Sequence, residues 1–187
     1  MALWRSLDQN DSEIRKILAH ALYNLGIDWR HKKEWNDALK VTQESVALWR
    51  SLDQNHPEIR KGLANALYNL GIDWRHEKKW DNALEADREC VALWRNLDQN
   101  DPEIRKELAQ ALLGQGTDLK YIGNKDENRD EILRTIEEWL DIWKSLDQSN
   151  LSVKEEMIMA LKDWETILNK LGVYNKEQEV QHERRNC

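Results

Sequence analysis

The stretch ALYNLGIDWRH occurs twice without change, at residues 21–31 and again 45 residues later at residues 66–76. It belongs to a longer repeat, because 32 of the 45 positions in residues 2–46 are identical in residues 47–91. A third copy opens at Ala92, where ALWRNLDQN repeats the ALWRSLDQN of the first two copies. Self-similarity at such a period is typical of arrays of stacked helical units, which present an extended surface.

Each copy is predicted to be a helical hairpin. Pro57 stands where the first helix of the second copy begins, a position at which its missing N–H costs nothing. Apolar residues then recur at intervals of three and four, which places them on one stripe of a helix: Ile59, Leu63, Ala66, Leu67, Leu70 and Trp74. A polar turn follows, and a second apolar stripe begins near Trp80 and ends before Pro102. No strand pattern is seen.

Composition narrows the class of function. The chain has 187 residues and a formal net charge of −7, which argues against nucleic acid as a partner because phosphate binding needs a dominant basic surface. It contains no apolar run long enough for a membrane span and no secretory signal at its start, so we expect a cytoplasmic protein. Two cysteines give no metal spacing, and we expect no cofactor.

The third copy departs from the period. Trp94 and its equivalent Trp143 are 49 residues apart, and we place the four extra residues in the turn around residues 121–125. Bulky Ile132 and Trp139 occupy positions that are small in the earlier copies, so we expect a tilted hairpin or a pocket there. We predict one domain, 1–187, in five parts: a partial repeat helix 1–9, hairpins 12–53, 57–98 and 102–147, and a capping helix with a polar tail 151–187.

The chain also opens in mid-repeat, since Met1 is followed at once by the end of a second helix. Two interpretations stand: a piece of a longer array, or a short helix that caps the first hairpin.

The hairpins resemble the tetratricopeptide repeat, in the extended form of about 42–45 residues found in kinesin light chains and in the repeat arrays of nucleotide-binding receptor proteins. The matching residues are Leu22, Leu25, Gly26, Trp29, Trp35, Ala38 and Ser45, and in the second copy Leu67, Leu70, Gly71, Trp74, Trp80, Ala83 and Cys90. The resemblance implies an all-α fold: a right-handed solenoid of stacked antiparallel helical hairpins. It also implies a non-enzymatic protein-interaction scaffold whose first helices line a concave groove.

The groove positions that the resemblance assigns to ligand binding are Tyr23, Asn24, Ile27, Arg30, His31, Tyr68, Asn69, Ile72, Arg75, His76, Lys120 and Tyr121. It implies that Asn24 and Asn69 hydrogen-bond the main chain of an extended peptide, whereas the alternative is that they bond neighbouring repeats. Tyrosine and isoleucine would give an apolar floor and the basic residues a positive edge, so we expect a partner with apolar anchors and some acidic residues. A solvated helix end is the alternative for the arginines.

Two further functions remain open. The half-repeat at Met1–Leu7 would let a second copy of the chain complete the array, which would give a homo-oligomer. An enzyme or a small-molecule or sugar binder would use an aromatic pocket at the third copy, with Trp139, Trp143, Trp164 and Tyr121 as candidates. The sequence contains no Gly-rich phosphate loop and no G-x-S-x-G element, and we expect the tryptophans to serve mainly in the core.

Overall fold

The computed structural model describes residues 11–122, 125–146, 151–171 and 174–186, and these are all-α, as predicted. Their eight helices are α1 Ser12–His31, α2 Trp35–Arg50, α3 Pro57–His76, α4 Trp80–Arg95, α5 Pro102–Ile122, α6 Lys125–Ser145, α7 Leu151–Leu171 and α8 Tyr174–Asn186. The chain divides into two compact units, the first ending at Leu97 and the second beginning at Asp98. The predicted partial helix at residues 1–9 lies outside the described residues.

Local sequence sets the helix ends in the first unit. The Asp11 side chain accepts a hydrogen bond from the Glu13 N–H at 2.8 Å and so caps α1. Pro57 occupies the first turn of α3, as predicted. Both hairpin turns place a lysine in the left-handed region, Lys33 with φ 63° and Lys78 with φ 56°. The repeated sequence therefore folds into repeated local structure.

Small residues hold each hairpin of the first unit together. The Ser45 hydroxyl of α2 donates to the carbonyl oxygen of Ala19 in α1 at 2.8 Å, and the Cys90 thiol of α4 donates to that of Ala64 in α3 at 3.3 Å. Both side chains are fully buried. The same position of the repeat thus ties the second helix to the first in both copies, because its side chain is small and can donate.

A tryptophan joins the first hairpin to the second. Trp49, at the end of α2, is 1 % exposed and lies against Gly62 of α3. A Cβ on Gly62 would lie 2.5 Å from the indole, so only glycine leaves room for the ring. Burying an aromatic side chain of this size contributes roughly 1.5–3 kcal/mol. Trp49 thus lies in the core, as expected for the tryptophans.

The third hairpin, α5 with α6, is built differently. We expected the four extra residues to lengthen its turn, and this is wrong: α6 has 21 residues against 16 in α2 and α4. The sequence KDENR at residues 125–129 contains neither Gly nor Pro, so it extends the helix by a turn instead.

Bulk at Trp139 changes how this hairpin packs. Trp139 takes the position of Ser45 and Cys90, and its ring instead lies 5.7 Å from that of Trp143 and 6.2 Å from that of Trp164 in α7. Trp164 also lies against Gly116 of α5, where a Cβ would come within 2.2 Å of the indole. Helix α7 therefore packs on α5 as well as α6, and a tilt of the third hairpin stays a prediction.

Helix α7 lies in the segment 151–187 that was predicted as a capping helix with a polar tail, and the tail forms α8. The two pair as a further hairpin: Val180 of α8 is fully buried, and Gln181 donates to Glu165 of α7 at 3.0 Å. Lys144 of α6 lies 3.1 Å from Glu183 of α8. The tail is therefore part of the second unit's packing.

Candidate functional site

The first helices of the two regular hairpins lie side by side. Lys16 of α1 pairs with Glu58 of α3 at 2.8 Å near one end, and Arg30 pairs with Asp73 at 3.0 Å near the other. These contacts place equivalent positions of α1 and α3 next to each other along the helices. The candidate binding residues on both helices consequently share one surface.

The centre of that surface is apolar. Tyr23 and Ile27 lie four residues apart on α1, as Tyr68 and Ile72 do on α3, so each pair occupies one helix face. All four side chains are half-buried, and Asn24 between them is exposed. We refer to Tyr23, Asn24, Ile27, Tyr68 and Ile72 as the Tyr–Ile face.

The predicted basic edge is engaged in ion pairs. Arg30 is only 11 % exposed, and its Nη1 lies 3.0 Å from both carboxylate oxygens of fully buried Asp73. The same nitrogen donates to the main-chain oxygen of Asn69 at 3.4 Å, and Asn69 itself is 8 % exposed. Burial raises the pKa of Asp73, and the Arg30 guanidinium partly offsets this. Arg30 therefore links the two hairpins.

Arg75 makes a related pair within its own hairpin. Its Nη1 lies 2.6 Å from Asp87 of α4, whose side chain is fully buried. Gly71 makes room for this carboxylate, since a Cβ there would lie 2.3 Å from Asp87 Oδ1. Arg30 and Arg75 occupy the same position of the repeat and yet pair with acids in different helices.

The remaining candidates are spread further. His31 is exposed at the end of α1, and His76 stacks on Trp35 of α2 with ring centroids 3.9 Å apart and planes 11° apart. Lys120 and Tyr121 belong to the second unit, at the end of α5, where Lys120 Nζ lies 5.2 Å from the Tyr121 ring. Binding of a ligand by any of these residues stays a prediction.

Sequence reasoning did not anticipate the buried acids. Asp73 belongs to the identical stretch GIDWR, and its equivalent Asp28 is exposed in α1. The sequence did contain one indication of this ion pair: both the Arg and the Asp stand at positions that are identical in the two copies. Residues that are identical between the copies can therefore be contacts between hairpins, and not only residues of a ligand-binding surface.

A separate cleft lies in the second unit, at the irregular hairpin where we predicted a pocket. Its volume is about 290 Å³, and it is lined by Gln110, Leu113, Trp139, Trp143, Glu156, Met159, Ala160 and Asp163. We refer to it as the third-repeat cleft. Of the aromatic candidates, Trp139 and Trp143 line it, Trp164 packs behind on Gly116, and Tyr121 is 47 % exposed and not part of the lining.

The part of the chain that the structure describes contains no group of three His, Cys, Asp or Glu side chains suited to a metal ion. Among those same residues, no helix is long and apolar enough to cross a membrane. The self-association surface predicted at Met1–Leu7 falls outside the described ranges.

Comparison with known proteins places the second hairpin in a family. A family model described as a tetratricopeptide repeat matches residues 63–97, which run from Leu63 in α3 to Leu97 after α4. Residues 63–97 are a tetratricopeptide repeat. The first hairpin is similar to the second in sequence, since 32 of 45 positions are identical between the copies. Such repeats generally serve as protein-interaction scaffolds.

Among solved structures, the chain is similar to a Podosopora anserina protein described as a kinesin light chain with nearly identical TPR-like repeats. The two sequences are 14 % identical, and the two structures superpose with a TM-score of 0.41 over 89 % of this chain and 93 % of that chain. A variant of the same protein gives 14 % identity and a TM-score of 0.41, with 89 % and 92 % covered. No curated protein sequence matches the chain.

Proposed function

We propose that the first unit is a protein-interaction scaffold that binds an extended partner peptide across the Tyr–Ile face. The observation that carries this is the pair of adjacent tyrosine–isoleucine rows on α1 and α3, half-buried and aligned by the Arg30–Asp73 contact. Tyrosine offers a large apolar ring with a polar tip, which suits a surface that alternates between water and a partner.

Asn24 supports the main-chain part of the proposal. Its side chain is exposed beside Tyr23, and a carboxamide presents both a donor and an acceptor to a peptide group. Asn69, the equivalent in α3, is 8 % exposed and its carbonyl oxygen accepts from Arg30, so Asn24 is the better placed of the two.

Apolar anchors carry the proposed specificity more than acidic residues do. Arg30 is paired with Asp73 and Arg75 with Asp87, so each guanidinium already has a carboxylate against it. An acidic residue of the partner would gain less from either arginine than from an unpaired one, because the local charge is already balanced. We expect acidic side chains to modulate affinity and the apolar anchors to determine it.

Selection of peptides from a random displayed library against the whole chain tests the proposal. The dissociation constant of a selected, labelled peptide is then measured by fluorescence anisotropy for wild type and for Tyr23→Ser/Tyr68→Ser. We expect a loss of at least about tenfold, since two aromatic contacts are removed. The melting temperature of each variant is recorded in parallel.

The matched control is Lys40→Ser/Glu85→Ser, which changes two exposed residues at equivalent positions of the second helices. It should bind as wild type does. Peptides that bind the Tyr23→Ser/Tyr68→Ser variant as tightly as the wild type, with both proteins folded, would show that the Tyr–Ile face is not the binding surface.

A further inference from the structure

The net charge of the chain comes from one of its two units. Residues 1–97 contain 15 basic and 15 acidic side chains, whereas residues 98–187 contain 13 basic and 20 acidic ones. The second unit therefore carries the whole net charge of −7. Such a unit attracts cations and repels anions over distances up to the Debye length.

The third-repeat cleft lies in this acidic unit, and two largely buried tryptophans form its floor. Trp139 and Trp143, whose rings are 5.7 Å apart, line it together with Leu113 and Ala160. Met159 is also part of the lining and is 60 % exposed, which is unusual for an apolar side chain of that size. A thioether on an unbranched stem adapts its shape to whatever enters.

Both charged side chains that line the cleft are carboxylates, Glu156 and Asp163. Asp163 is exposed and makes no hydrogen bond or ion pair with the described residues. Glu156 also lines the cleft and accepts from Lys106 at 2.8 Å, which raises the pKa of that lysine. None of the eight lining residues, all of which the structure describes, is basic. Gln110 adds a neutral amide.

We propose that the third-repeat cleft binds an organic cation, an ammonium group carried on a small aromatic or apolar body. The apolar body would pack on Trp139 and Trp143, and the ammonium would lie against the Asp163 carboxylate. The two indoles are 1 % and 2 % exposed and supply a small apolar contact, whereas the carboxylate supplies a charge-assisted hydrogen bond. A volume of about 290 Å³ is at the lower end of ligand sites, so the body is about the size of one ring.

Anionic ligands do not fit this chemistry. A phosphate or carboxylate would meet the Asp163 carboxylate, and the one basic residue near the lining, Lys106, is already paired with Glu156. A neutral ring would gain the aromatic contacts only. The site therefore discriminates by charge, and this makes the proposal testable with matched probes.

The test uses 2-phenylethylamine, which is cationic at neutral pH, and 2-phenylethanol, its neutral counterpart of nearly the same shape. Binding to the full chain is measured by calorimetry and by the indole N–H signals in ¹H–¹⁵N spectra. We expect the amine to bind at least about fivefold more tightly than the alcohol. The Trp139 and Trp143 signals should shift, and those of Trp29 and Trp35 in the first unit should not.

Two variants locate the site. Asp163→Asn should weaken amine binding about three- to tenfold and leave alcohol binding unchanged, because only the charge is removed. Asp141→Asn is the control: it removes the same charge from an exposed residue of α6 outside the lining, and binding should be unchanged. Ala160→Leu should fill the cleft and abolish binding of both probes, with the fold checked by circular dichroism.

A second pair of probes asks whether the cation is a free ligand or a lysine of a partner. Acetyl-Phe-Lys-amide is compared with acetyl-Phe-norleucine-amide. Charge-dependent binding that is tighter for the dipeptide assigns the site to a partner's lysine, and tighter binding of the free amine assigns it to a small ligand; both support the proposal. Equal binding of the charged and neutral members of both pairs, or an equal loss in Asp163→Asn and Asp141→Asn, would overturn it.

Discussion

Arg30 of α1 and Asp73 of α3 are 43 residues apart in sequence, yet Arg30 Nη1 lies 3.0 Å from both carboxylate oxygens of Asp73. The Arg30 side chain is 11 % exposed and the Asp73 side chain is fully buried. The pair joins the first hairpin to the second at the end of their first helices. A buried charge without its partner is strongly destabilising, so this contact fixes the register between hairpins.

Arg30→Ala should therefore lower the free energy of unfolding by about 2–4 kcal/mol, because it leaves the Asp73 carboxylate buried and unpaired. The double variant Arg30→Ala/Asp73→Ala should be more stable than Arg30→Ala alone, since the lone charge is removed as well. Urea unfolding of the four proteins in this cycle measures the coupling. Strictly additive losses would mean that the pair contributes nothing.

Lys16→Ala is the control for that cycle. Lys16 also pairs with a residue of α3, but its partner Glu58 is 71 % exposed. We expect a much smaller change, because water screens the pair.

Asp73 should also give the stability a pH dependence of defined sign. Burial raises the pKa of Asp73 in the native state above its usual 3.8, although Arg30 and His76 act in the opposite direction. The native state then binds this proton more tightly than the unfolded state. The contribution to stability grows as the pH falls through the raised native pKa and is lost as the pH rises again. The free energy of unfolding of the wild type minus that of Asp73→Asn, both measured in urea, should increase from neutral pH to about pH 4. A difference that is constant over this range would contradict the shift.

The hairpin turns offer a stabilising change. Lys33 and Lys78 have φ of 63° and 56°, a conformation that costs an L-residue roughly 1–2 kcal/mol and glycine nearly nothing. Lys33→Gly and Lys78→Gly should each raise stability by about 0.5–1 kcal/mol after the entropic cost of glycine. Lys32→Gly is the control, since its φ of −81° needs no glycine, and it should be destabilising. Equal effects of Lys32→Gly and Lys33→Gly on the melting temperature would refute the argument.

The regular hairpins could be predicted because their apolar period, Pro57 and the repeat length all indicate the same structure. The third hairpin was predicted to differ because Ile132 and Trp139 stand at small positions, but the sequence did not indicate that α6 would be the longer element. Residues 125–129 extend α6 because nothing in them ends a helix. A sequence period shows which residues are equivalent between copies. It does not show which side chain of another helix packs against a given position, as Trp164 of α7 does against Gly116 of α5.

The candidate site was predictable in part. The i, i+4 rows of Tyr23 with Ile27 and of Tyr68 with Ile72 follow from helical spacing alone. The ion pair of Arg30 does not follow from helical spacing, because its partner Asp73 lies in another copy of the repeat. Long charged side chains reach neighbours several ångströms away, and only the stacking of the hairpins determines which neighbour that is.

Gly62→Ala should be destabilising although alanine is the better helix former. The new Cβ would lie 2.5 Å from the buried Trp49 ring, which is rigid and 1 % exposed. Overpacking of this kind costs about 1–3 kcal/mol and should exceed the gain in helix propensity of about 1 kcal/mol. Ile17→Ala tests the equivalent position 45 residues earlier, which is 47 % exposed, and should change thermal stability by less than about 0.5 kcal/mol. A rise in the melting temperature of Gly62→Ala would show that Trp49 can move aside.

Cys90 allows a direct test of why the third hairpin differs from the first two. Cys90→Ser should be tolerated within about 1 kcal/mol, because Ser45 donates to Ala19 from the same position of the repeat. Cys90→Trp places there the residue found at Trp139, and it should cost more than about 3 kcal/mol or prevent folding, since the position is fully buried against α3. In the third hairpin the indole is accommodated by Trp143 and Trp164, and Trp139→Cys should lose about 3–5 kcal/mol by opening a cavity. If Cys90→Trp and Cys90→Ser unfold at the same urea concentration, bulk at this position is not what alters the third hairpin.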